Sequence, residues 1–388
     1  MTLLASYPDR GLSFVAGEGV ELIDAKGDRY LDFMSNYGVA IFGHRHPVLR
    51  EALARQIDRL TSLHGSFSSA VRSGAADALT ARCGGGLARV AFSSSGAEAN
   101  EAALKFAALA TGKKRFIACR GGYHGKTLGA LSATEGAKYR AAFEPLLWEF
   151  GFVPYDDTAA LEAAIDDRTA AFLVEPVQGE SGVRIPRPGY LGEAVRICHA
   201  RGILVIIDEI QTGTGRTGRF LASHAEPLDY DIVTLGKGLA GGLPIGATLV
   251  TESIARSVPR GAHTSTFGGN PLAAAGILAT LGLLESAAVA RVAELGRAAV
   301  ERLRTLDSGF IREVRGTGLM IGLQVAHSRD GVLKALQRER ILAIPAGDDV
   351  VRFLPPYIIG PEHIERLVET LRTILLLPAF VAQPCAAS

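Results

Sequence analysis

Between residues 47 and 270 the chain repeats one pattern: a short run of consecutive apolar residues, then a stretch whose apolar positions recur at helical spacing. The runs fall at 89–93, 115–119, 171–175, 203–208, 231–235 and 246–251. Runs this uniformly apolar suit strands covered on both faces. Alternation with helices then predicts an α/β unit with a mostly parallel sheet. Two runs, Ala171-Phe-Leu-Val-Glu175 and Ile203-Leu-Val-Ile-Ile-Asp208, end in an acid. Ligands of open parallel sheets bind beyond the carboxyl ends of the strands, so both acids are expected to point into the crevice.

The flanking segments read differently. From Gly19 to Phe33 apolar and polar residues alternate about Lys26-Gly27-Asp28, which predicts a hairpin. After Asn270-Pro271 a helical pattern runs to about Leu306. Strand-like segments follow at 311–315 and 319–325, then a helix near 331–340, a strand at Val351–Leu354 and a final helix over 361–377. The expected division is an N-terminal segment (1–46) belonging to a small domain, a large domain (47–270), and an α+β C-terminal domain (271–388) whose tail frays after Pro378.

Composition removes several function classes. A chain of 388 residues that is 48% hydrophobic and 21% charged, with 17 prolines, builds a large core and is neither disordered nor collagen-like. Its 41 basic and 40 acidic side chains leave a net charge of +1, so there is no cationic excess for a phosphate backbone and no nucleic-acid partner is expected. The longest apolar stretch, Pro271 to Leu284, is too short to span a bilayer and reads as a buried helix; no membrane association is expected. Cys83, Cys119, Cys198 and Cys385 are scattered without a C-x-x-C pair, and Met1 opens no cationic leader, which predicts reduced thiols in a cytoplasm.

Three segments carry candidate chemistry. Ser93-Ser-Ser-Gly-Ala-Glu-Ala-Asn100 follows a strand and opens a helix, so free N–H donors and the positive end of a dipole meet there, either as a phosphate site or as a simple cap built on Ser95. Asp208-Glu-Ile-Gln211 puts a carboxylate at a buried strand end, where it either caps the next loop or keeps a bound heterocycle's nitrogen protonated. Only eight of the 41 basic residues are lysines, and Lys237 sits between glycines just after the 231–235 run, either as a solvated loop residue or as a desolvated amine able to condense with an aldehyde. Phosphate site, strand-end acid and strand-end lysine together meet the needs of pyridoxal phosphate. No metal site is expected. Gly213-Thr-Gly-Arg-Thr-Gly218 matches a dinucleotide fingerprint, but too little chain follows for the crossover helix; it reads as a turn-rich loop. Gly125-Lys-Thr127 has Arg120 where a P-loop needs glycine.

Ser95–Lys105, His124–Leu131, Glu175–Glu180, Asp208–Gly213 and Ser265–Ala273 resemble the motifs of class III pyridoxal-phosphate-dependent aminotransferases over nearly the whole chain. Gly43–Pro47, Arg312–Met320 and Val351–Pro356 are similar to the acetylornithine aminotransferase group, which includes enzymes acting on lysine or ornithine held on an amino-group carrier protein. The resemblance implies fold type I, with a mostly parallel seven-stranded sheet in the large domain and a smaller α+β domain made from the N- and C-terminal segments. It implies a homodimer with shared sites and pyridoxal 5'-phosphate as cofactor. Lys237 then carries the cofactor's aldehyde and shuttles the proton. Asp208 binds the ring nitrogen, Tyr123 and Ile210 cover the ring faces, and His124 and Gln211 lie beside it. Ser95, Gly96 and Ala97 hold the phosphate, with Thr266 of the partner subunit. For substrates it implies Arg352 for the α-carboxylate of 2-oxoglutarate and Glu180 to neutralise that arginine when an ω-amino donor is bound. It also implies Ser265 as a contact, and Lys126 where the group has an arginine for the donor's distal carboxylate. A plain structural ion pair is the other reading of Glu180 and Arg352. The implied reaction moves an ω-amino group from an acetylornithine-, ornithine- or lysine-like donor to 2-oxoglutarate in arginine or lysine biosynthesis. The rivals are a diamine, 4-aminobutyrate or plain ornithine aminotransferase, and a catalytically silent binding protein of the same fold.

Overall fold

Seven strands form the central sheet: β1 (Leu87–Ser93), β2 (Arg115–Cys119), β3 (Glu149–Val153), β4 (Thr169–Val174), β5 (Leu204–Asp208), β6 (Ile232–Leu235) and β7 (Gly246–Thr251). This computed structural model describes residues 4–306, 309–326 and 328–376. Cys385 and the tail after Pro378 lie outside the described residues. The strands are ordered β1-β7-β6-β5-β4-β2-β3, parallel except for β7, which runs antiparallel to both β1 and β6. Every residue of β4 is buried and β5 is buried from Val205 onward, which is why their sequences carry no polar alternation. Six strands coincide with the apolar runs. β3, at the sheet edge with Glu149 exposed and a glycine at its centre, was not among them.

The N-terminal hairpin forms as three antiparallel strands, Phe14–Glu18, Glu21–Asp24 and Arg29–Asp32. A distant segment, Ile341–Leu342, adds to it in parallel beside Leu31 and Asp32. A third sheet joins Ile311–Thr317, Met320–Val325, Val350–Phe353 and Ile344–Ala346, all antiparallel. Phe33 and Phe353, both buried, meet edge to face at 6.0 Å and tie the N-terminal strands to this sheet.

The continuous helix expected to about Leu306 is two helices, Pro271–Leu283 and Ser286–Leu303, bent by 72°. The first is apolar nearly all round and buried between elements; the second has one apolar face. The axis turns at Leu284–Glu285, where both residues leave helical geometry. Among the described residues no single helix is long and apolar enough to cross a membrane.

The buried helix packs on Pro47–Ile57, on Ala70–Cys83 and on the turn Lys237–Ala240. A Cβ at Gly276 would lie 2.7 Å from the carbonyl oxygen of Ala240, so a bare Cα there is what lets the helix reach the turn that carries Lys237. The 213–218 loop is turns, as expected, and only the short 3-10 turn Ala222–Ala225 separates it from β6, with no crossover helix. Its Arg216 is wholly buried, donates to the carbonyls of Leu319 and Pro355 at 3.0 and 2.6 Å, and lies over the Tyr357 ring. The loop thus clamps the C-terminal segment rather than a dinucleotide.

Candidate active site

β5 delivers Asp208, 4% exposed, to the carboxyl edge of the sheet. Its Oδ2 accepts from Asn100 Nδ2 at 2.7 Å and lies 2.8 Å from His124 Nδ1, while Oδ1 accepts from the Ile210 amide at 3.0 Å. Asn100 Nδ2 also donates to the His124 carbonyl at 2.8 Å, and its Oδ1 accepts from Thr234 Oγ1 of β6 at 2.9 Å. The carboxylate is therefore fixed from helix Gly96–Thr111, from the loop after β2 and from β6. The other ring nitrogen, His124 Nε2, is buried without a partner among the described residues.

Glu175, the other strand-end acid, also turns into this region. It accepts from the amides of Tyr123 at 3.0 Å and Gly179 at 3.3 Å. Burial raises its carboxyl to about 7, against the opposing pull of His124 and reinforced by the charge of Asp208.

Lys237 lies two residues beyond β6, half-buried, with φ +47. A left-handed backbone at a lysine costs about 1–3 kcal/mol and here is held by the packed helix Pro271–Leu283. Burial pushes its amine below the ordinary lysine value, Asp208 opposes that shift, and Arg352 adds to it. A depressed amine is a better nucleophile at neutral pH.

Helix Gly96–Thr111 opens at Ser95, whose Oγ accepts from Glu98 N at 3.2 Å. The cap reading of this segment is observed, and the phosphate reading is left open to the amides beside it. Ser95 caps the helix, and among the described residues no acceptor lies on the amides of Gly96 or Ala97. A Cβ on Gly96 would come 2.7 Å from Ile210 Cγ2, and one on Gly236 would come 3.2 Å from Gly96 Cα. The helix start, Ile210 and the Lys237 turn thus converge on one small cradle with two free donors, and an anion fits it.

Arg352, in the strand Val350–Phe353, is fully buried. Nη2 donates to Glu180 Oε2 at 2.9 Å and Nη1 to Gln211 Oε1 at 3.1 Å, while Nε has no partner among the described residues. The guanidinium carbon lies 5.5 Å from the Tyr37 ring centre. A cavity of about 920 Å³ opens beside Tyr123, Tyr139 and Glu180, with Arg184, Arg315 and Asp349 around it. Neither Asp208 nor Lys237 lines this space, so it is the approach to the site rather than its chemical centre.

The structure thus brings together Ser95, Gly96, Ala97, Tyr123, His124, Glu180, Asp208, Ile210, Gln211, Lys237 and Arg352. Lys126 is exposed, and among the described residues no hydrogen bond or ion pair ties it to them. Ser265 Oγ accepts from Gly268 N at 3.0 Å, and Thr266 is exposed. Sequence reasoning missed Asn100 and Thr234 as supports of Asp208, and Tyr139 and Tyr37 beside Glu180 and Arg352. Asn100 had a signal, since it closes the Ser93–Asn100 motif; the two tyrosines had none.

The residue set fits pyridoxal phosphate: free amides for a phosphate, a fixed carboxylate for a ring nitrogen, and a depressed amine for an aldehyde. Residues 7–375 match the family described as aminotransferase class-III. The acetylornithine aminotransferase of Methanopyrus kandleri is 41% identical over 95% of this chain and 96% of its own. The [LysW]-aminoadipate semialdehyde/glutamate semialdehyde transaminase of Sulfolobus acidocaldarius is 40% identical over 97% and 98%. Among solved structures, the ornithine aminotransferase of Toxoplasma gondii superposes with a TM-score of 0.92 at 34% identity, over 97% of this chain and 92% of that one.

Proposed function

This chain belongs to the class-III aminotransferases, pyridoxal-phosphate-dependent enzymes of fold type I, and from that premise we propose that it moves the ω-amino group of an acetylornithine-, ornithine- or lysine-like donor to 2-oxoglutarate. The products are a semialdehyde and glutamate, and the place is arginine or lysine biosynthesis in the cytoplasm.

When bound, pyridoxal phosphate supplies an aldehyde that condenses with amines and a ring that withdraws electrons from the adjoining carbon. The protein does the rest. The amides of Gly96 and Ala97, with Ser95, hold the phosphate, joined by Thr266 of the partner subunit in a homodimer. Asp208 keeps the ring nitrogen protonated, and Asn100 and His124 keep Asp208 in place. Tyr123 and Ile210 would cover the bound ring, with Gln211 beside it. Lys237 would hold the aldehyde, and its Nζ would take up and return the substrate's proton.

The observation that carries the substrate reading is the buried Arg352 paired with Glu180. A planar guanidinium is the best partner for a carboxylate, and 2-oxoglutarate brings one to it. An ω-amino donor brings none there, so Glu180 satisfies Arg352 in that half of the cycle. One arginine serves both substrates by changing partner, and Ser265 contacts the substrate.

Lys126 supports a second reading. It stands where the acetylornithine group has arginine, and it is exposed. A point charge does not reproduce the guanidinium fork, which favours a donor without a distal carboxylate, such as a diamine. A panel of acetylornithine, ornithine, lysine, putrescine, 4-aminobutyrate and a carrier-linked lysine, read by glutamate formation from 2-oxoglutarate, separates these. The expected order puts the acetylornithine-, ornithine- or lysine-like donors first, with Lys237→Ala folded but inactive on all of them. Glutamate formation by Lys237→Ala at the wild-type rate refutes the assignment.

A further inference from the structure

The two oxygens of Glu180 have different partners. Oε2 faces Arg352 Nη2 at 2.9 Å, and Oε1 accepts from the Tyr139 hydroxyl at 3.2 Å. Tyr139 sits on the short helical turn Ala137–Arg140, and its ring meets Tyr123 edge to face at 5.5 Å. The Lys138 ammonium lies 4.8 Å from the Tyr139 ring centre. The phenol is thus held in place without help from Arg352. Burial, then the charge of Glu180, raises its pKa above the ordinary phenol value, so it remains a donor at neutral pH. Arg352 likewise keeps Gln211 when Glu180 departs.

A carboxylate arriving at Arg352 therefore replaces one bond of Glu180 and leaves the other in place. We propose that Tyr139 is a positioning residue that tethers Glu180 while an acceptor carboxylate occupies Arg352. The inference rests on the partner exchange described above and names what governs it. The tether counts for more once Glu180 has left Arg352, because the displaced carboxylate then has no partner but water besides Tyr139, so the cost of losing it falls mainly on carboxylate binding. The donor half of the cycle, in which Glu180 stays on Arg352, is spared.

The test uses holoenzyme and Tyr139→Phe, which keeps the ring against Tyr123. Binding of glutarate, a dicarboxylate that cannot react, is measured by calorimetry, and the donor half-reaction is followed by the cofactor's absorbance. The expected result is glutarate binding weakened about 5–10-fold, the size of one hydrogen bond to a partly hydrated charged group, with the donor half-reaction within about twofold of wild type. Unchanged glutarate affinity overturns the proposal, and so does an equal loss in both measurements, which marks a packing role for the ring. Arg352→Ala measured beside it separates the layers. If that variant binds glutarate normally, the exchange itself is wrong. If it binds glutarate weakly while Tyr139→Phe binds it normally, the tether alone is wrong.

Discussion

Replacing Asn100 by alanine tests the frame beneath Asp208. Asn100 is fully buried, and the change deletes three hydrogen bonds of 2.7, 2.8 and 2.9 Å. The Thr234 hydroxyl loses its acceptor, the His124 carbonyl loses a donor, and Asp208 Oδ2 is left with His124 Nδ1. A buried polar group without its partner costs about 1–3 kcal/mol. With one water admitted into the space vacated, the total is about 3–5 kcal/mol. Unfolding entropy of about 2.1 cal/mol/K per residue, over this chain length, converts that into a midpoint lowered on the order of 4–6 °C. The measurement is a thermal melt of the cofactor-free protein at fixed concentration, since the midpoint of any protein that assembles depends on concentration. The holoenzyme is then dialysed and its visible absorbance followed, with faster loss expected because Asp208 is less firmly oriented. A midpoint within 1 °C of wild type together with normal cofactor retention refutes this account of the site's support.

Two further outcomes follow from the same geometry. Arg352→Ala is expected to slow the 2-oxoglutarate half-reaction by about 100-fold, the loss of a charge-assisted pair, and the donor half-reaction by much less; equal losses count against the exchange of partners. Glu175, raised to about 7 by burial, takes up a proton on folding between its ordinary value of 4.5 and about 7. Its stabilising contribution is present at the acid end of that window and is lost as pH rises through about 7. Melts of wild type and Glu175→Gln across that window should therefore diverge, wild type losing ground as pH rises, and parallel curves would show that Glu175 titrates normally.

The sequence was most legible where burial is two-sided. β4 to β7 coincide with apolar runs to within two residues, and the strand-end positions of Asp208 and Lys237 follow from those runs. β3 escaped because an edge strand carrying Glu149 and Gly151 has no uniform apolar signal. The break at Leu284 escaped because the helix before it is apolar on all sides and shows no period to interrupt. Ser35, Asn36 and Tyr37 adopt left-handed geometry in succession although none is glycine, so local preference gave no hint of the turn that sets Tyr37 beside Arg352. Asn100 and Tyr139 act through partners 108 and 41 residues away, a relation visible only after the chain has folded.

The parallel pairing of Ile341–Leu342 with Leu31 and Asp32 bears on how the molecule is made. At roughly 5–20 residues per second, a ribosome releases the second partner on the order of 15–60 s after the first. During that interval Leu31 and Phe33, both fully sheltered in the finished protein, have only the local hairpin to pair with and lack the backbone partners Arg340 and Leu342. The hairpin must wait, sticky and open, until the segment around residue 341 has been made, which makes it a natural client for a chaperone.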